Sequence, residues 1–373
     1  MEENEKPYNR IVLIGNGFDK ALGLKTGYTE FIYDYIKKVV IESLNNQDVS
    51  HNADLLRIVK GGAFNVEYIN AFIKEHDKES NLRGLLEDLK KMYDIQYSYK
   101  FFEDIIRRIN GDRWVDIEQE YFNYLIGKFN YSKKHGLNEY IDLISRLNAC
   151  MDILTDLLKN FISEQQRCVN IGFIAEQMDS LFEKINNPLE IKRASFVSKH
   201  CRTNKPQKVI FINFNYTNTV LKIINSLPFR ESSIHISIHG NVSNPDNPII
   251  FGYGDDTGDD YKALELDNKN ELLRKIKSFQ YPRTNNYHRL LNFIDGEEFD
   301  VFIIGHSCGI SDRTLLKTIF EHDNCLAIQN FHYKGEPEDF EKRMEISRHF
   351  SDKIMMRLRV LPFDELARIP QLS

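Results

Sequence analysis

The 373-residue chain is short of sulfur chemistry and of tryptophan. Tryptophan occurs once, and the five cysteines, at 150, 168, 201, 308 and 325, are odd in number with no CxxC pair. That pattern signals neither a disulfide framework nor a zinc ribbon, so a reducing compartment and no metal are expected. Positive charge is not in surplus either: 49 Lys plus Arg against 55 Asp plus Glu gives a formal charge of −6. Global attraction to nucleic acid or to an acidic membrane is therefore excluded, and no direct nucleic-acid partner is expected. No uncharged apolar run approaches the roughly 20 residues of a bilayer span. The opening MEENEKPYNR lacks the apolar core of a signal peptide, so the expectation is a cytoplasmic chain away from the membrane. Repeats and low-complexity tracts are missing too. What is present, 42% hydrophobic and 28% charged residues, suits a globular chain of about two structural units at ~150 residues each.

RIVLI at 10–14 is a short apolar run emptying into GNG, which reads as a buried strand followed by a glycine turn. From Thr29, a plausible N-cap, apolar residues recur at helical spacing (Phe31, Ile32, Tyr35, Ile36, Val39, Val40). Helical periodicity returns at 81–108, 114–128 and 137–185, and strand signals are sparse between about 30 and 205. After the polar linker KHCRTNKPQK, β-branched runs resume: VIFINF (209–214), SIHISIH (233–239), PIIFGYG (248–254), DVFIIG (300–305), CLAIQNFHY (325–333) and MRLRVL (356–361). Helical pieces at 270–279 and 313–322 interleave with them. The pattern predicts an α/β chain: a Rossmann-like, doubly wound, mostly parallel sheet built from 8–28 plus 207–373, with a large helical insertion at 29–206.

Three expected strand ends carry the candidate chemistry. IGNGFDKALG (14–23) places Gly15 and Gly17 where a missing Cβ lets backbone N–H groups approach a phosphate, although Lys20 stands at the third glycine position of a dinucleotide fingerprint. The competing reading is a strand-ending turn that needs φ > 0. Asp19 suits ribose hydroxyls or a turn cap. NFNYTNTV (213–220) puts Asn213, Asn215 and Asn218 at a strand end, where ligands of doubly wound sheets collect; Asn218 reads as a helix N-cap and Asn215 as a ligand-facing amide. In SIHISIHG, alternation puts His235, Ser237 and His239 on one strand face. His239 sits at the carboxyl end, suited to proton transfer, and His235 reads as a hydrogen-bonded structural residue. A His, Ser, His metal site lacks a matching carboxylate or thiolate and is rejected.

DVFIIGHSCGISD (300–312) repeats the strand-then-glycine design, with Gly305, His306, Ser307 and Asp312. GHSCG also matches the GxSxG nucleophile turn, so a serine hydrolase competes. In WVDIEQEYF, beginning at Trp114, Asp116 and Glu120 share a helix face while Glu118 looks elsewhere, and that pair reads as a solvated face. GDDTGDD (254–260) fails the calcium-loop template and reads as a mobile surface loop.

As a set, IGNGFDKALGLKTGYTEF, WVDIE, FNYTNTV, IHGN, FGYG and IGHSCGISDRTLL, in this order, resemble the AbiH family of bacterial abortive-infection (anti-phage) proteins. More distantly they are similar to the sirtuin-like superfamily, which binds NAD. The resemblance implies NAD as substrate, hydrolysed to nicotinamide and ADP-ribose. It implies Asn215 and His239 as catalytic, Gly15 and Gly17 as the phosphate turn and Gly305 with Ser307 as a second nucleotide turn; Asn16, Phe18, Asp19, His306 and Asp312 are expected around the nucleotide beside them. Backbone N–H groups from Gly15 to Phe18 would hold the pyrophosphate. Three departures from the sirtuin-like pattern stand out: Asn16 between the glycines, Asp19 in place of a serine, and Thr217 where many members have Asp. A non-catalytic nucleotide sensor is the remaining alternative. A phage-derived trigger or partner protein, and self-association, are the partners expected.

Overall fold

The computed structural model describes residues 7–45, 50–60, 67, 71, 73–75, 81–109, 116–136, 140–168, 171–189 and 204–371. Trp114, Cys201 and residues 199–203 of the 199–208 linker lie outside them. The chain opens with β1 (Asn9–Ile14), α1 (Asn16–Ala21) and α2 (Tyr28–Asn45), followed by β2 (Ser50–Asn52) and β3 (Leu56–Lys60). Next come α3 (Leu82–Met92), β4 (Tyr93–Tyr97), α4 (Lys100–Ile109), α5 (Ile117–His135), α6 (Tyr140–Gln165) and α7 (Ile171–Asn186). The second half holds β5 (Val209–Asn213), α8 (Thr219–Ile224), β6 (Ser233–Ser237), α9 (Asp259–Leu266), α10 (Asn270–Leu273) and α11 (Asn286–Gly296). It ends with β7 (Phe299–Ile304), α12 (Arg313–Phe320), β8 (Cys325–Phe331), α13 (Glu336–Ser347) and α14 (Lys353–Arg359).

Five strands form one sheet in the order β6-β5-β1-β7-β8, and every pairing in it is parallel. The N-terminal strand thus occupies the centre, between partners about 200 and 290 residues away, because RIVLI is apolar on both faces and only an interior position buries both. Val12, Ile14, Phe211, Phe302 and Ile304 pack on one face against Phe18, Phe182, Ile185 and Ile223. Ile11, Leu13, Ile212, Val301 and Ile303 pack on the other against Leu290, Ile294, Leu316 and Phe320. Strand order reverses on either side of β1, so a crevice is expected beyond the carboxyl ends of β1 and β7. The register aligns those ends: Ile14 pairs with Asn213 and Ile304, Asn213 with Ser237, and Ile304 with Phe331.

Residues between β1 and β5 build a separate core from α2 to α6. They include a three-stranded antiparallel sheet, β2-β3-β4, so the insertion expected to be helical also contains strands. β4 lies within the stretch 81–108 whose periodicity predicts helix, yet its YDIQY alternates in burial, the period of a half-buried strand. Arg10 ties α7 to the sheet. Fully buried, its guanidinium forks onto both oxygens of Asp300 at 2.7 Å and bonds the Ile185 and Asn187 carbonyls at 2.7 Å, where α7 has run out of its own donors.

Two expected strands are corrected. PIIFGYG contributes only an isolated bridge, Tyr253 to Ile276, because Ile249, Phe251 and Tyr253 turn into the insertion core. MRLRVL is mostly α14, whose N-cap Asp352 accepts from Ile354 N at 2.7 Å; only Val360 bridges to β8. α2 begins at Tyr28, one residue before the expected cap, and only Asn270–Leu273 of 270–279 is α-helical. The GDDTGDD loop is not free: Asp255 is buried, accepts from Arg313 Nη1 at 3.0 Å, and is bonded by Thr257.

Candidate functional site

Beyond the aligned carboxyl ends lies a cleft of about 320 Å³. The turn after β1 and the turn after β7 meet there backbone to backbone. Gly15 N donates to Ile304 O at 3.1 Å, Gly17 N to Gly305 O at 2.8 Å, and Phe18 N to Gly15 O at 2.9 Å. A Cβ on Gly15 would sit 2.3 Å from His306 Cα, one on Gly17 2.8 Å from Gly305 O, and one on Gly305 2.2 Å from Phe18 N. Gly305 also has φ +67°, whereas Gly15 is extended at φ −114°. The two N-terminal glycines are thus required by close approach of the two turns, not by positive φ. Their N–H groups, and that of Phe18, are spent on the protein itself. These three are therefore not free for the pyrophosphate that the Gly15–Phe18 backbone was expected to hold. Phe18 is a core residue; the other ten expected site residues all line the cleft.

One end of the cleft is built around Asp19, which is 1% exposed. Its Oδ2 accepts from Thr217 Oγ1 at 2.8 Å, while Oδ1 is buried with no partner among the described residues. Burial pushes the carboxyl up to about 7, against hydrogen bonds from Thr217 and Asn215 that lower it. Asn215 is fixed by its neighbours: Nδ2 donates to Gly15 O at 3.1 Å and its N–H to Asn213 Oδ1 at 3.0 Å. Asn213 in turn donates to Thr217 O at 3.1 Å, which closes the β5 turn. The Tyr333 hydroxyl, a second orphaned buried oxygen, also faces the Gly17 and Gly305 turns. Asn16 accepts from Thr26 at the exposed rim.

The other end holds a charged network. Asp312 Oδ1 lies 3.2 Å from His239 Nε2 and 2.7 Å from Lys277 Nζ, and its Oδ2 lies 3.5 Å from His306 Nε2. Lys277, fully buried, reaches Glu118 Oε1 at 3.1 Å as well. Burial opposes charge on Asp312, but Lys277 and His239 hold it well below the usual carboxylate range. Burial likewise opposes the Lys277 ammonium, and Asp312 with Glu118 outweighs it. For Glu118 burial wins over Lys277 and pushes the carboxyl up to about 8. Burial, helped by Lys277, lowers His239 to about 4, so the imidazole is neutral at pH 7. His306 accepts from Cys308 N at Nδ1, which leaves Nε2 carrying its proton toward Asp312. With both nitrogens committed, His306 orients Asp312 and offers no free base.

Ser307 is exposed, and its Oγ accepts from Gly309 N at 3.3 Å. No imidazole bonds it among the described residues. The left-handed residue of GHSCG other than glycine is Cys308, φ 57°, so the serine does not occupy the strained position of a nucleophile elbow. His235 Nε2 has no partner among the described residues, and Asn218 precedes α8 without a side-chain cap bond.

Sequence reasoning missed Lys277 and misjudged WVDIE. Asp116 caps α5 by accepting from Glu118 N and Gln119 N, and its other oxygen accepts from Ser311 at 3.1 Å. Glu118 is 6% exposed; only Glu120, paired with Arg108 at 2.7 Å, matches the solvated reading. The signal was in the spacing: 118, 121, 122, 125 and 129 form the apolar stripe of α5. An acid on that stripe is a buried acid. Among the described residues no three His, Cys, Asp or Glu are grouped to hold a metal, and no helix is long and apolar enough to cross a membrane.

The family model described as bacteriophage abortive infection AbiH matches residues 11–333. That span runs from β1 through the last cleft-lining turn, so the chain belongs to the AbiH family, and its role is in abortive infection against phage. No curated protein matches it.

Proposed function

We propose that this AbiH-family protein binds NAD in the cleft and hydrolyses it to nicotinamide and ADP-ribose. The observation that carries the reading is that an imidazole held by a carboxylate, His239 on Asp312, lines the same cleft as Asp19, whose buried Oδ1 has no partner among the described residues. A ribose hydroxyl is the donor that oxygen lacks, and a Rossmann-like sheet edge is where nucleotides bind. The phosphates fall to Lys342, two of whose N–H groups bond His306 O and Ser307 O at 2.9 Å, leaving one free.

In the reaction the bond from ribose C1′ to the nicotinamide nitrogen breaks, and its electron pair leaves with a ring that was cationic and needs no proton. Water supplies the new C1′–O bond and gives up one proton. With Nε2–H directed at Asp312, the Nδ1 lone pair of His239 is the acceptor, and the Asp312 carboxylate stabilises the imidazolium that forms. Asn215 acts by holding the β1 turn and the Asp19 carboxylate in place. The full chain incubated with NAD should release nicotinamide and ADP-ribose, with loss of both in His239→Ala and Asn215→Ala at unchanged circular dichroism. Turnover unaffected in both variants refutes the assignment, and tight NAD binding without turnover makes the protein a sensor.

A further inference from the structure

Among the described residues, the last two helices leave an apolar face uncovered. α13 buries only Asp339 and Ile346, and α14 buries no residue outright. Phe340 and Met344, one turn apart on α13, are 57% and 46% exposed; Ile354 and Leu358, one turn apart on α14, are 63% and 56% exposed. The two stripes adjoin. Lys353 Nζ, at the start of α14, donates to Ser347 Oγ at 3.2 Å and to Phe350 O at 2.9 Å, which holds that start against the end of α13. Met344 and Ile354 therefore stand on either side of one joint.

The charges on the two helices are opposite. α13 carries five acids against Lys342 and Arg343, whereas α14 carries Lys353, Arg357 and Arg359 and no acid. Part of this is settled inside the chain: Asp339 pairs with Arg343 at 2.7 Å, Glu345 with Arg348, and Arg359 donates to Phe320 O at 2.6 Å. Glu341, beside Phe340, and Arg357, beside Leu358, are exposed and have no ion pair among the described residues. An apolar stripe rimmed by a free acid and another rimmed by a free base are self-complementary under a two-fold rotation, α13 of each copy meeting α14 of the other. A partner rich in one charge is attracted to one of these helices and repelled by the other. The β8 edge of the sheet does not compete for this role. The chain's own segment covers it, with Leu361 N on Ile328 O and His332 N on Ala367 O, both at 2.9 Å, so strand pairing between copies is closed there.

We infer that the protein forms a two-fold dimer through α13 and α14, with Phe340 and Met344 of each copy packed on Ile354 and Leu358 of the other and Glu341 opposite Arg357. Lys342, whose ammonium holds the 306 and 307 carbonyls, lies two residues from both Phe340 and Met344 and so leaves the opposite side of α13. The interface is thus separate from the cleft, and the inference stands without the NAD reading. Four half-exposed side chains and their rim make a small patch beside the ~800 Å² per partner of a standard interface, so the dimer is reversible and of micromolar affinity.

The test is sedimentation velocity of the full chain from about 1 to about 200 µM, a range that brackets micromolar affinity. The unaltered protein should pass from monomer to dimer across it. Leu358→Glu, a change at an exposed position that should leave circular dichroism unaltered, should stay monomeric. Glu341→Arg and Arg357→Glu should each weaken the dimer about tenfold or more, since each sets like charges face to face at both symmetry-related contacts. An equimolar mixture of these two variants should dimerise again, because each copy then supplies the sign that the other lacks. A monomer at every concentration of the unaltered chain overturns the inference, and so do open-ended oligomers. A dimer indifferent to a folded Leu358→Glu does the same, as does a mixture of the charge variants that stays monomeric where the unaltered chain is paired.

Discussion

Replacing Asp19 by Asn should make the protein more stable at alkaline pH, an unusual sign for loss of a buried carboxylate. Asp19 titrates at about 7 in the folded chain against an ordinary value of 3.8, because burial outweighs the bonds from Thr217 and Asn215. A group raised on folding lends its stability in full below its unfolded value and withdraws it as pH climbs through the folded one. At about 1.4 kcal/mol per pH unit, the complete withdrawal amounts to ~4 kcal/mol, of which about 3 kcal/mol falls between pH 5 and pH 8. Asn copies the shape and hydrogen-bonding pattern of the protonated acid, still accepts from Thr217, and cannot ionise. Urea unfolding followed by circular dichroism at pH 5 and pH 8 measures the effect. The change in unfolding free energy between the two pH values, wild type minus variant, should be close to that 3 kcal/mol; the subtraction removes the parallel contribution of Glu118, raised by the same cause. Equal pH slopes in the two proteins would refute the burial argument. The variant should also lose nucleotide binding, since the orphaned oxygen it removes is the one assigned to the sugar.

Lys277→Met should destabilise the fold by about 3–5 kcal/mol by leaving the buried Asp312 carboxylate uncompensated, and adding Asp312→Asn should recover a large part of that loss. Strict additivity in urea unfolding would show that Lys277 does not serve Asp312. Gly305→Ala should cost at least ~2 kcal/mol, because its Cβ meets Phe18 N at 2.2 Å as well as adopting φ +67°. Gly23→Ala, at φ +83° with open space around it, should cost only about 1 kcal/mol. Thermal unfolding showing the two variants alike would mean that conformation alone, not the meeting of the two turns, requires Gly305.

The parallel sheet was legible because its strands are apolar runs that end in glycine or asparagine, and both signals are local. RIVLI-GNG, VIFINF-N and VFIIG each announce a strand end, and the register places those ends side by side. What was not legible depended on partners far away in sequence. Nothing near Lys277 marks it as buried, since its carboxylates stand at 118 and 312. FGYG resembles a strand until the insertion core that captures Phe251 and Tyr253 is known. The glycines at 15 and 17 were chosen correctly for closeness, but the sequence does not say what approaches them, and the approaching atoms belong to the 305 turn rather than to a phosphate. Glu118 belongs to a third kind: its signal was present, as an acid on an apolar helical stripe, but attention fell on the neighbouring pair Asp116 and Glu120. Local rules favour an exposed side chain there, while packing buries it next to a lysine with a carboxylate of its own. Folding alone gains little from such an arrangement. Disagreement of burial, charge and propensity of this kind is what functional sites are expected to show. On that argument the insertion is part of the site rather than an appendage to it, and a change that shifts the start of α5 should alter recognition without touching the sheet.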